Sequence, residues 1–189
     1  ESLLPMSPAD KEIQWKVLKE HLNAKPPRLE ACNGPWASRC LLIKKSRGRH
    51  EIAGSYQQVN SKCVRNTYPL PLVKDNLDCL GRGVFLSCVD ICKAYLSLRL
   101  DPRDRDKLAI ITHFGLYRWT CMPYGWINAG PTFCLSLDDA IVNLKYQILS
   151  SYADDILNFG GITAWVHMMC LNLAFQRLQD KGFRISIAK

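Results

Sequence analysis

Nine cysteines are present without a single C-x-x-C pair, and their odd number and irregular spacing form no disulfide framework. Zinc is therefore not expected, and thiols set in apolar runs, such as Cys88, Cys134 and Cys170, are expected to be buried and reduced. No uninterrupted apolar stretch is long enough to span a bilayer, which argues against a membrane partner. The first residues also lack the basic-then-apolar pattern of a secretory signal, so the chain is expected to be intracellular and not secreted. Acidic charge is scarce. Seventeen Asp and Glu stand against 25 Lys and Arg, giving a net charge of +8 and a pI near 9.1, which favours a polyanionic partner. A chain of 189 residues can bury a sizeable core, as one domain with room for two lobes.

Against that background one acidic stretch stands out, Ser151-Tyr152-Ala153-Asp154-Asp155-Ile156. Apolar β-forming runs flank it, Tyr146–Leu149 before and Ile156–Phe159 after, and Gly160-Gly161 closes the second. The pattern reads as a hairpin with an acidic tip, although Asp-Asp is also ordinary in a plain turn. Upstream, the apolar strand Phe85–Val89 runs into Asp90, with Tyr95 five residues beyond. Three carboxylates brought together from two neighbouring strands suit hard cations such as Mg²⁺. Two such ions roughly 3.5–4 Å apart serve in-line phosphoryl transfer, so the spacing points to nucleotidyl transfer. Because adjacent strand residues point to opposite sides, Asp154 is favoured over Asp155 as the direct ligand.

These residues carry a resemblance. Tyr152-Ala153-Asp154-Asp155 resembles the Y-x-D-D motif of reverse transcriptases, and Val89–Tyr95 resembles the strand bearing their first aspartate. Pro35–Ser38, Val59-Asn60, Tyr68–Pro71, Phe114–Tyr117, Met122–Trp126, Asn128–Phe133 and Gly182–Arg184 resemble, in family order, segments of the polymerases of retroviruses and LTR retrotransposons. The likeness covers nearly the whole chain. It implies an RNA-directed DNA polymerase from a retroelement polyprotein, with Asp90, Asp154 and Asp155 as catalytic metal ligands for two Mg²⁺ ions, Mn²⁺ being the alternative. It implies as partners an RNA or DNA template with its primer and deoxynucleoside triphosphates. It also implies a cytoplasmic location or one within virus-like particles.

The same resemblance assigns roles along the chain. Lys45, with Lys44 beside it, matches the lysine that grips the triphosphate, and Tyr95 matches the residue lying under the sugar and excluding a 2′-hydroxyl. Tyr124 lies in the loop that shapes the nucleotide pocket, where an aromatic leans toward LTR retrotransposons. Lys189 matches a lysine near the leaving pyrophosphate. The chain also departs from the pattern, with Glu51 where an arginine is usual and Ser55 and Gln57 where an aspartate and an arginine are expected. Arg49 lies two residues before Glu51, on the same face if both are on a strand and about 6.6 Å along it, and is the candidate to replace the missing charge. These departures leave a rival reading open, a catalytically weak relic that folds and binds nucleic acid.

Local signals place the elements. Ser7 caps a helix with Pro8 in its first turn and Ile13, Val17, Leu18, His21 and Leu22 on one face. Cys40–Ile43 and Glu51–Tyr56 form a hairpin around the basic turn Lys44–Arg49. Val73–Leu80 is a short helix ended by Gly81 and Gly83, and Lys107–Thr112 and Leu116–Cys121 are two further strands. A helix from Ala129-Gly130-Pro131 presents Phe133, Leu137, Ala140 and Ile141 to the sheet. Another, capped by Thr163, is expected to bury Val166, Met169, Cys170, Leu173 and Leu178, before a last strand at Phe183–Ile187. The expected fold class is α+β, and the resemblance implies its architecture: a four-stranded antiparallel palm with helices on one face, roughly 86–103 and 136–189, plus fingers of hairpins and helices, roughly 24–85 and 104–135. The thumb, connection and RNase H portions of the family are expected to lie outside this chain.

Overall fold

The computed structural model describes residues 3–80 and 83–186. Contacts divide the chain into two compact units, one running to Arg65 and including Leu98–Ala129, the other comprising Asn66–Ser97 and the chain from Gly130 onward.

In the first unit, α1 (Pro8–Leu22) begins as expected: the Ser7 hydroxyl oxygen accepts the Asp10 backbone N–H at 3.1 Å. Its buried face is Gln14, Val17, Leu18 and His21, so a polar Gln14 takes a core place while Ile13 and Leu22 are half-buried. Five strands follow: β1 (Leu29–Ala31), β2 (Ser38–Lys44), β3 (His50–Ser55), β5 (Ile110–Thr112) and β6 (Gly115–Trp119); β4 belongs to the second unit. They form one sheet in the order β1-β6-β5-β2-β3, with β2 and β5 parallel and the other neighbours antiparallel. The strand expected from Lys107 begins only at Ile110. Arg105–Leu108 is instead a 3₁₀ turn whose Asp106 carbonyl accepts the Ala109 N–H, and the Asp106 carboxylate receives Arg118 at 2.7 Å. Leu18, Leu29, Ile52, Tyr56, Ile110 and Trp119 make up the most deeply buried core.

Tyr56 forces a glycine at position 54, and the Gly54 carbonyl forces another at position 125. A Cβ on Gly54 would lie 2.0 Å from the Tyr56 ring, and one on Gly125 would lie 2.5 Å from the Gly54 carbonyl, with Gly125 at φ +94°. Short helix α2 (Gln57–Lys62) then presents Asn60, whose amide donates to the Gly125 carbonyl at 3.0 Å and accepts the Ile127 N–H at 3.0 Å. Asn60 therefore stitches down the loop Met122–Trp126.

The second unit holds α3 (Val73–Leu80), β4 (Ser87–Ile91), α4 (Ala129–Ala140), β7 (Leu149–Tyr152), β8 (Asp155–Asn158), α5 (Ala164–Asp180) and β9 (Ile185–Ser186). Its four strands are antiparallel throughout in the order β7-β8-β4-β9, the sheet expected of the palm. Alternation sorts its faces: Ile91, Ile156 and Asn158 are buried, whereas Cys88, Asp90 and Asp155 share the more open side. On α4, Phe133, Leu137 and Ala140, with Ile141 just after, are buried as expected, and the Phe133 ring meets Tyr95 and Phe183 edge-on at 5.7 and 5.9 Å.

Two expectations need correction here. Cys88 is exposed, because strand alternation puts it on the open face with Asp90. On α5 the buried residues are His167, Ala174 and Leu178, while Val166, Met169 and Leu173 are exposed and Cys170 is half-buried. The helix is turned by its histidine. His167 Nδ1 donates to the Gly160 carbonyl at 2.7 Å and Nε2 meets the Ser87 hydroxyl at 2.8 Å, which points that residue, not the apolar stripe, at the sheet. Gly81 and Ile187, expected at a helix end and in the last strand, lie outside the described residues.

Phe133→Ala is expected to cost about 3–5 kcal/mol of stability, the usual penalty for deleting a buried phenyl ring. The exposed Leu135→Ala on the same helix should stay within about 0.5 kcal/mol. Denaturant midpoints of the two variants check both.

Candidate active site

The acidic tip is a two-residue hairpin loop. Tyr152 pairs with Asp155 as the last rung between β7 and β8, leaving Ala153 and Asp154 as the turn, with Ala153 in the left-handed region at φ +50°. The Ile91 N–H donates to the Asp154 carbonyl at 2.9 Å and ties the tip to the end of β4. Asp155 is thus on a strand and Asp154 is not, so alternation between them does not operate. In the β4–β8 ladder Asp90 lies directly opposite Asp155, both on the open face, and Asp90 also pairs with Ser186 of β9. Directly opposed residues hold their Cβ atoms about 4.5–5.5 Å apart.

Like charges at that position repel, and a hard cation that takes carboxylate oxygens relieves the repulsion, so the donor set fits Mg²⁺. Among the described residues, no three His, Cys, Asp or Glu side chains are already gathered as a metal cluster. Asp90 and Asp155 form the preset pair, and the Asp154 side chain has to turn in from the exposed tip to complete a three-carboxylate site. The fold brings Asp90 and Asp155 together and leaves Asp154 exposed at the turn beside them. Cys88, two residues before Asp90, places its Sγ 3.9 Å from Asp155 Oδ1. Sequence reasoning missed this neighbour, although the i, i+2 spacing within one strand was the available signal.

Tyr95 opens a 3₁₀ turn just beyond β4, half-buried against Phe133. Burial, then the nearby Cys134 and Asp154, push its hydroxyl pKa up, so it stays a neutral phenol.

In the first unit, Lys45 stands just past β2, and its backbone N–H donates to the Arg49 carbonyl at 2.7 Å across the hairpin tip. Its ammonium is 3.0 Å from Glu51 Oε2 and 5.0 Å from the centre of the Tyr124 ring. Glu51 reaches His21 Nε2 at 3.7 Å with its other oxygen. Arg49 precedes β3, which starts at His50, so it is an exposed turn residue and strand alternation does not set it on the face of Glu51. Ser55 ends β3 opposite Arg39, and Gln57 begins α2. Lys189 lies outside the described residues.

The sequence pattern of the family described as "Reverse transcriptase (RNA-dependent DNA polymerase)" matches residues 42–189. The retrovirus-related Pol polyprotein from transposon 412 of Drosophila melanogaster is 32% identical over 155 residues, covering 79% of this chain and 12% of that polyprotein. The Pol polyprotein from transposon 297 of the same organism is 24% identical over 162 residues, covering 83% of this chain and 15% of its own length. The chain therefore spans only a small part of these relatives. Among solved structures, the foamy viral protease-reverse transcriptase in complex with RNA/DNA hybrid superposes on 98% of this chain and 24% of its own, with a TM-score of 0.87 at 19% identity. At that identity the likeness is one of fold.

Asp155→Asn removes one of two opposed charges, so without divalent metal it is expected to raise stability by about 0.2–1 kcal/mol. The same variant should lose most of the stabilisation that added Mg²⁺ gives the unmutated chain. Thermal unfolding with and without Mg²⁺ checks both outcomes.

Proposed function

The chain belongs to the reverse transcriptase (RNA-dependent DNA polymerase) family, and from that premise we propose that it carries RNA-directed DNA polymerase chemistry, adding deoxynucleotides to a primer 3′-hydroxyl. The observation that supports this most directly is Asp90 set opposite Asp155 beside the turn that carries Asp154. These three residues would hold Mg²⁺, or Mn²⁺ in its place. When bound, the ions would favour the attacking oxygen and neutralise charge on the leaving pyrophosphate. The carboxylates supply the fixed negative charge that makes this corner of the sheet a cation site, and the tied-down turn holds Asp154 in place before substrate arrives.

In this reading Tyr95 presents a neutral, packed ring that excludes a ribose 2′-hydroxyl. Lys45 and Arg49 meet triphosphate oxygens, Tyr124 shapes the nucleotide pocket from a loop that Asn60 holds, and Lys189 neutralises the pyrophosphate. A primed RNA or DNA template is the polyanion that the +8 charge suits, and the setting is intracellular, in cytoplasm or virus-like particles. The palm would comprise roughly residues 86–103 and 136–189 and the fingers roughly 24–85 and 104–135. One observation favours the relic reading: Glu51 occupies the ammonium of Lys45.

Mg²⁺-dependent extension of a DNA primer on an RNA template is the deciding assay. Asp90→Asn and Asp154→Asn are each expected to reduce the rate by on the order of 10³-fold, as loss of a fixed charge-stabilising group does. Tyr95→Ala should admit ribonucleotides. Primed template that binds, by fluorescence anisotropy, yet is extended by no form of the chain would favour the relic.

A further inference from the structure

Glu51 is the residue that departs most from what triphosphate binding asks for. It is almost buried, with 12% of its side chain exposed, whereas Lys45 keeps 44% of its side chain in solvent. One carboxylate oxygen faces His21, itself 1% exposed, and the other holds the Lys45 ammonium. Register explains why Glu51 can do this: it pairs with Ile43 in the β2–β3 ladder, two residues from Lys45, while the Lys45–Arg49 backbone hydrogen bond turns Lys45 back over the strand end. The centre of the Tyr124 ring is 5.0 Å from the same ammonium. The lysine thus meets both a carboxylate and an aromatic ring while 44% of its side chain stays in solvent.

We propose that Glu51 is a positioning residue that governs polyphosphate capture by Lys45, seating the ammonium against Tyr124 and competing with incoming phosphate for its charge. This rests on the reading of Lys45 as a triphosphate-binding residue. A lysine ammonium has three donors, so one can stay on Glu51 while others turn to a phosphate, but the carboxylate then repels the polyanion that shares its partner. Glu51 sets a ceiling on affinity and keeps the lysine from the random orientations of a free side chain. Its position holds the carboxylate there: with little solvent to turn to, Glu51 has Lys45 and His21 as its charged or chargeable partners among the contacts described.

The test uses the whole chain and inorganic tripolyphosphate as probe, with binding followed by titration calorimetry for the unmutated chain, Glu51→Gln, Lys45→Ala and the double variant. Glu51→Gln is expected to tighten binding roughly three- to tenfold, the effect of removing one partly screened like charge that shares the ammonium with the phosphate. Lys45→Ala should weaken binding, and Glu51→Gln should add nothing in that background. If Glu51 merely added to a general field, the tightening would persist without Lys45, and that result overturns the proposal, as does unchanged affinity in Glu51→Gln. Binding that Lys45→Ala leaves intact, or no binding by any variant, defeats the assignment of Lys45 itself and the proposal with it. Should Glu51→Gln fail to fold, the uncharged Glu51→Met fits the same nearly buried place and carries the same arms. In steady-state extension the tightening is expected in the KM for deoxynucleotide, with a comparatively unchanged kcat, a split that loosened packing would not produce.

Discussion

The β4–β8 ladder sets Asp90 against Asp155, and the second unit is built to bear the repulsion. Opposed like charges cost on the order of 1 kcal/mol or less. The reverse face of the same two strands buries Ile91 and Ile156, each worth about 1.5–3 kcal/mol, so packing outweighs the electrostatic cost. The histidine of α5 adds two hydrogen bonds at the far end of the ladder, to Ser87 and Gly160. A left-handed Ala153, unfavourable by roughly 1–2 kcal/mol for a residue with a Cβ, closes the tip so tightly that the Asp154 carbonyl meets the Ile91 N–H. Strain and repulsion thus gather at one corner of a well-packed sheet, the corner proposed above to hold the cations.

The first unit solves a different problem, holding a long, flexible lysine. Freezing such a side chain costs up to about 2 kcal/mol of rotamer freedom, and an exposed ion pair returns little. Here the acceptor is nearly buried and the ring opposite is itself held. Tyr56 lies over Gly54, Gly54 abuts Gly125, and Asn60 bonds the loop that carries Tyr124. The order imposed on Lys45 by Glu51 and Tyr124 is thus backed by glycines and an asparagine that never touch it.

Much of this was legible without coordinates because the governing signals are local. Ser7 and Thr163 cap their helices through their own hydroxyls, a helix begins at Val73 as the residues suggest, and the spacing of Phe133, Leu137 and Ile141 picks out the buried side of α4. Other features escaped. The face of α5 was misread because apolar spacing competes with a histidine whose two partners lie far away in sequence. Cys88 was read as core from its apolar neighbours, although in a one-sided sheet the alternate position is open. The β5 strand starts late because Arg105–Leu108 closes a 3₁₀ turn, whose Asp106 carboxylate also receives Arg118 of β6, twelve residues on.

By itself the sequence determined which chemical groups are present and in what order: three aspartates, a tyrosine near the first of them, a basic hairpin tip and the family they mark. Only the tertiary structure decided which of these groups face one another. Register between β4 and β8, strands distant in sequence, makes Asp155, not Asp154, the partner of Asp90, while the turn of the β2–β3 hairpin brings Lys45 back onto the Glu51 carboxylate. The reason is geometric. Side chains alternate with a period of two, so a one-residue change in pairing moves every group to the opposite face, and that register is set by long-range packing that local composition does not encode.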